Sequence, residues 1–194
     1  MTYPPAPWQL HGDMWLSLFR LKGIEGRQDG VYGAAFVTYR EPSPLTYHEL
    51  LVARLADEDR FAVTVTDIWV DSPASMAGGR ELWAIPKDLC DFGMESATSG
   101  PLRRTTWHAG LGDRPIATAR FSDVSALAPP APYRFTLRQT RDDGTPVTAP
   151  VSGRARALPA RAHWDFDPAG PLAFLAGHRT LGSFSLSNFR LTFG

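Results

Sequence analysis

Lys87 lies among Trp83, Ile85, Leu89 and Phe92, apolar company for a residue type that is mostly exposed. A lysine amine is a weak nucleophile near neutral pH, because its ordinary pKa is about 10.4. Burial or a nearby cation disfavours the ammonium and frees the lone pair. The free amine can then add to a carbonyl carbon and lose water to give a protonated imine. That imine withdraws electrons from the adjacent carbon. It therefore supports loss of carbon dioxide from a β-keto acid, or enamine formation for an aldol step, and the lysine alone does not choose between them. Pro86 fixes its own φ and restricts Ile85, which holds the backbone leading into Lys87 to one path. Glu49 is the candidate general acid or base, provided it is buried near Lys87; His48 beside it is a lesser one.

Other chemistries find less support. His11, His108, His163 and His178 show no metal-ligand spacing. Neither Ser75 nor Ser183 stands in a nucleophile-elbow pattern, and Gly78-Gly79 is not followed by the lysine of a phosphate loop. The reading therefore includes no metal and no cofactor. Twenty basic and twenty acidic residues give a formal net charge of zero, so nothing points to nucleic acid or an anionic membrane. No stretch approaches the roughly 18 apolar residues of a membrane helix. The start of the chain lacks the basic patch and apolar run of a signal peptide. One cysteine, Cys90, allows no internal disulfide, which suits a reducing cytoplasmic location.

These candidates must be positioned by a largely β chain. Period-two or β-branched runs occur at residues 14–21, 31–39, 61–70, 104–108, 115–121, 133–140, 151–157, 162–166 and 183–193. In the first, Trp15 and Phe19 share one side. Residues 142–146 (Asp-Asp-Gly-Thr-Pro) and 110–113 (Gly-Leu-Gly-Asp) read as hairpin connections. About nine short strands argue for a sandwich or a barrel. Residues 47–56 suit a helix by propensity and a strand by context. Residues 73–83 suit a short helix with Ser72 as N-cap and Pro73 at its first position. Residues 171–177 suit another, ended by glycine. Residues 126–132 read as a loop. The length of 194 residues fits one domain, residues 1–194.

The stretch 71–87 (Asp-Ser-Pro-Ala-Ser-Met-Ala-Gly-Gly-Arg-Glu-Leu-Trp-Ala-Ile-Pro-Lys) resembles the signature of acetoacetate decarboxylases: a strand, an aspartate, a short segment, Gly-Arg-Glu, and then Pro-Lys. Pro7-Trp8 and the Tyr-x-Glu at Tyr47-His48-Glu49 resemble the family as well, so the likeness spans about residues 7 to 95. The resemblance implies a single-domain antiparallel β-barrel or double cone with a few short helices. It implies Lys87 as the Schiff-base residue acting on a small oxo acid, by decarboxylation or aldol-dehydration chemistry. Acetoacetate decarboxylase is itself the standard instance of a lysine activated by its surroundings. Arg80, Glu81 and Trp83 are the accompanying substrate-binding or structural residues, with a structural Arg80–Glu81 ion pair as the favoured reading. The family also implies a homo-oligomer.

The chain departs from the family pattern at three places. Asp88 stands where the decarboxylases carry a second lysine. The family arginine falls near Gly12-Asp13 and one of its acids near Ala34-Ala35, so both are missing, whereas the other acid survives as Glu49. Lowering of the Lys87 pKa must then come mainly from burial. The alternative reading is a β-barrel that binds an apolar metabolite, without catalysis or with a different one.

Overall fold

The computed structural model describes residues 2–59 and 61–194. The strands are β1 (Trp8–Leu21), β2 (Gly30–Tyr39), β3 (Tyr47–Leu55), β4 (Ala62–Val70), β5 (Lys87–Leu89), β6 (Asp91–Ser99), β7 (Leu102–Leu111), β8 (Arg114–Asp123), β9 (Ala131–Thr140), β10 (Pro146–Pro159), β11 (Arg161–Phe166) and β12 (Thr180–Phe193). A helix, α1 (Pro73–Trp83), joins β4 to β5. Seven strands close a barrel in the order β3-β2-β1-β12-β10-β9-β4, with β4 returning to β3. The mostly β barrel expected from the sequence is therefore present. Its seams are antiparallel except one, where β9 runs parallel to the start of β4 through Ala62↔Thr136 and Val63↔Leu137. β5 lies parallel to the end of β4 through Ile68↔Lys87. Parallel neighbours need a crossover, and α1 supplies it.

Strands β11-β8-β7-β6 form a second, antiparallel sheet. It covers the outside of the barrel on the β1-β2-β3 side, so these three strands are buried on both faces. Trp15, Phe19, Phe36, Leu50 and Val52 point outward and pack with Trp107, Phe121 and Phe166. Phe36 is stacked against Trp107 (5.1 Å, 7°) and against Trp164 (5.3 Å, 14°); such pairs are each worth about 0.5–1.5 kcal/mol beyond area burial. Inward residues of the same strands, such as Leu10 and Val37, belong to a separate cluster inside the barrel.

The double burial explains why residues 47–56 fit two readings. Leu50 and Val52 face the second sheet while Leu51 and Ala53 face the barrel, so the alternation of a half-exposed strand is erased. The segment is a strand: pairing with β2 and β4 on either side overrides the helix propensity of Glu, Leu, Ala and Arg. The 73–83 helix forms with Ser72 as its cap; the Ser75 N–H donates to Ser72 Oγ at 3.2 Å, and Pro73 needs no partner for its nitrogen. Within residues 171–177 the helical turn is 3₁₀, Ala173–Leu175. In residues 126–132, a 3₁₀ turn (Ser125–Leu127) and the start of β9 flank a short link. Both expected hairpin connections join their strands, β9 to β10 and β7 to β8. Two strands escaped the sequence reading: β5 is three residues long, and β6 is a polar, largely exposed strand at a sheet edge.

Candidate functional site

Alternation along β3 sends Tyr47, Glu49, Leu51, Ala53 and Leu55 into the barrel, and all five line a cavity of about 320 Å³. Tyr39 from β2 and Lys87 from the first position of β5 meet Tyr47 and Glu49 at one end. The rest of the lining is almost wholly apolar, including Leu16, Leu18, Val63 and Phe135.

Lys87 Nζ lies 2.8 Å from Glu49 Oε2 and 2.9 Å from Ser75 Oγ. Lys87 and Glu49 are 4% and 3% exposed, so water does little to screen the pair. The second Glu49 oxygen accepts a hydrogen bond from the Tyr39 hydroxyl at 3.0 Å. The Tyr47 ring lies beneath the amine, 5.0 Å from centroid to Nζ, and is stacked on Tyr39 at 4.4 Å. Burial raises both tyrosine hydroxyls above their ordinary range; the Glu49 charge adds to it at Tyr39, and at Tyr47 the Lys87 charge opposes it without reversing the direction.

The lysine differs from the sequence expectation in one respect. Burial is the largest single influence and pushes its pKa down, but the Glu49 carboxylate at contact distance, together with Tyr47, pushes it up, and the net direction is upward. The resting amine is an ammonium in an ion pair. Desolvation works as expected; the carboxylate that the sequence offered as a proton acceptor also stabilises the proton it would accept.

The Gly-Arg-Glu part of the sequence acts in three different ways. Gly79 packs against the lysine stem: a Cβ there would lie 2.7 Å from Lys87 Cδ and 2.9 Å from Cε. Arg80 turns outward, and its Nε donates to the Lys87 carbonyl at 2.6 Å. Its guanidinium is half exposed and 3.7 Å from Asp88. Glu81 accepts from the Tyr3 hydroxyl on the surface, away from the cavity. The expected Arg80–Glu81 ion pair is thus replaced by an Arg80–Asp88 contact, because successive residues on a helix face different ways. Asp88 points out to solvent, as alternation after Lys87 requires. Trp83 lines the cavity and packs edge-on against Trp8 (4.9 Å) and Phe193 (4.6 Å).

The places of the missing family residues have clear geometry. A Cβ on Gly12 would sit 2.0 Å from the Thr38 carbonyl oxygen, so no side chain fits there. Asp13 pairs with Arg40 and Arg103 instead. Ala35 faces the cavity and Ala34 the second sheet. His48 points outside the barrel, where its Nδ1 lies 2.7 Å from Asp71 Oδ2.

Sequence reasoning gave no role to Tyr39 or Tyr47, and it set Ser75 aside. Tyr47 shares a face with Glu49 by simple alternation, which was legible. Ser75 reaches the amine only through the crossover, and Tyr39 reaches the Glu49 carboxylate only through the pairing of β2 with β3.

The family model for acetoacetate decarboxylase (ADC) matches residues 22–151, which include Glu49, Ser75 and Lys87. No curated protein is similar enough to count as a match. Among solved structures, an acetoacetate decarboxylase from Legionella pneumophila aligns with a TM-score of 0.66 at 16% identity, over 99% of this chain and 86% of that one. The enduracididine biosynthesis enzyme MppR, complexed with the condensation product of pyruvate and imidazole 4-carboxaldehyde, aligns at 0.64 and 19%, over 100% and 88%. An acetoacetate decarboxylase-like enzyme from Sphingomonas wittichii RW1 aligns at 0.61 and 14%, over 98% and 91%. At these identities the likeness is one of fold.

Proposed function

This chain belongs to the acetoacetate decarboxylase family, and from that premise we propose that it is an imine-forming enzyme in which the Lys87 amine attacks a carbonyl carbon inside the barrel. The observation that carries this reading is a buried lysine at the polar end of an otherwise apolar cavity, in direct contact with a carboxylate.

The ion pair is the starting state of the reaction. Glu49 takes a proton from the ammonium, leaving a neutral amine and a carboxylic acid. The nitrogen lone pair forms the C–N bond while the carbonyl π pair moves to oxygen. A proton then passes from nitrogen to that oxygen, giving a neutral carbinolamine. Glu49 returns its proton to the hydroxyl, the C–O bond breaks, and water leaves. The product is an iminium cation beside a carboxylate anion, so the site ends with the charge it began with. The net charge of the site is zero at every step, which lowers the barrier in a medium of low polarity. Ser75 and the Tyr47 face hold the nitrogen in place. Tyr39 holds the carboxylate. From the iminium, an enamine forms by loss of a group from the adjacent carbon, either a proton or carbon dioxide.

A second reading has its own support. The closed Lys87–Glu49 pair, with the amine held protonated, also suits a barrel that binds an apolar metabolite without covalent chemistry. Reductive trapping separates the two. The sequence contains two lysines, Lys22 and Lys87, so assignment is simple. Cyanoborohydride with acetoacetate, pyruvate and 2-octanone in turn, followed by peptide mass analysis, is expected to add a carbonyl-derived group to Lys87. Modification of Lys22 alone, or of neither, would exclude the imine enzyme.

A further inference from the structure

We infer that the carbonyl compound this barrel accepts is neutral and apolar, a medium-chain ketone or aldehyde in place of an oxo acid. The inference rests on the imine reading above for the carbonyl group, and on the cavity lining for the rest.

Among the described residues lining the cavity, the charged side chains are Lys87 and Glu49. They neutralise each other at 2.8 Å. Conversion of the lysine to an iminium leaves that balance unchanged. A carboxylate on the substrate would therefore enter as an uncompensated anion next to Glu49. An ion buried without a partner is strongly disfavoured, and a like charge nearby adds to the cost. Arg80 and Arg103 have other partners. Arg80 donates to the Lys87 carbonyl and approaches Asp88 on the surface. Arg103 is held by Asp123 and Asp13 between barrel and second sheet.

The shape agrees with the charge. Inward residues of β3 run from Glu49 through Leu51 and Ala53 to Leu55, about 20 Å of strand at roughly 3.3 Å per residue. Leu16, Leu18, Val63 and Phe135 flank this path. A volume of about 320 Å³ holds on the order of ten non-hydrogen atoms, at about 30 Å³ for each water-sized unit. A carbonyl at the polar end with a tail of five to seven carbons along β3 fills about that space. A three- or four-carbon oxo acid, with about six or seven non-hydrogen atoms, would leave about a third of the cavity empty and set its carboxylate against apolar lining.

The test compares two molecules of equal chain length, 2-octanone and 2-oxooctanoate, on the intact protein near neutral pH. Displacement of naphthalene, a neutral fluorophore small enough for this cavity, reports binding, and cyanoborohydride trapping with peptide mapping reports the imine. The expected result is displacement by 2-octanone at a concentration at least about tenfold lower than by 2-oxooctanoate, with 2-octanone as the better label of Lys87. Equal or tighter binding of the oxo acid overturns the inference. Selective displacement by 2-octanone with no label on Lys87 from any carbonyl compound sinks the imine reading alone and upholds the neutral, apolar occupant.

Discussion

Gly79 on α1 and Lys87 on β5 are in contact through the absence of a side chain: a Cβ at position 79 would sit 2.7 Å from Lys87 Cδ. The glycine of the Gly-Arg-Glu motif thus makes the channel in which the lysine stem lies, and the adjacent arginine holds the same lysine by its carbonyl. Two neighbouring residues of the motif fix one distant residue, from opposite ends.

The first prediction follows from that contact. Gly79→Ala should push the Lys87 stem aside while keeping α1, because alanine is the better helix former by about 1 kcal/mol. Trapping of Lys87 by 2-octanone is expected to fall by more than about tenfold with an unchanged far-ultraviolet circular dichroism spectrum. Wild-type trapping in this variant would show that the contact does not position the amine.

Glu49→Gln removes the main group that raises the lysine pKa and leaves burial, the largest single influence, which lowers it, opposed by Tyr47 alone. In the wild type the folded pKa is above the ordinary 10.5, so the pair's stabilisation is complete below that value and is lost as pH rises through the folded pKa. In the variant the sign reverses. The unfolded chain binds more protons than the folded one between the depressed pKa and the ordinary range, so stability should rise with pH across that window. Urea unfolding at a series of pH values checks this. At neutral pH the variant should be less stable by about 3–5 kcal/mol, the usual cost of breaking a buried pair.

Ser75→Ala deletes one of the two hydrogen bonds to the amine without touching the carboxylate. The expected loss is about 1–3 kcal/mol, since a charged donor is left short of a partner. Trapping should slow while the Glu49-dependent pH response of stability persists. Loss of that response would place Ser75 in the proton exchange itself.

Ala84 closes α1 at φ 54, a left-handed conformation that glycine adopts without strain. Its N–H reaches the Arg80 carbonyl and the Ile85 N–H reaches that of Gly79, both at 3.1 Å. Ala84→Gly should therefore raise stability by about 1 kcal/mol, read as a higher urea midpoint with an unchanged slope. No gain would mean that chain entropy in the unfolded state offsets the relieved strain.

By itself the sequence determined the strand-rich class, the Ser72-capped helix, both hairpin connections and the family signature, because each depends on neighbours within a few residues. It also singled out Lys87 and Glu49, and alternation put Tyr47 on the face of Glu49. The tertiary structure decided the rest. Residues 47–56 became a strand only through partners on both sides, and β5 exists only because α1 carries the chain back to β4. Whether Lys87 rests as an amine or an ammonium depends on a carboxylate 38 positions away in the chain. Burial and that carboxylate oppose each other, and their balance depends on a distance of 2.8 Å, set by barrel closure and by no local pattern.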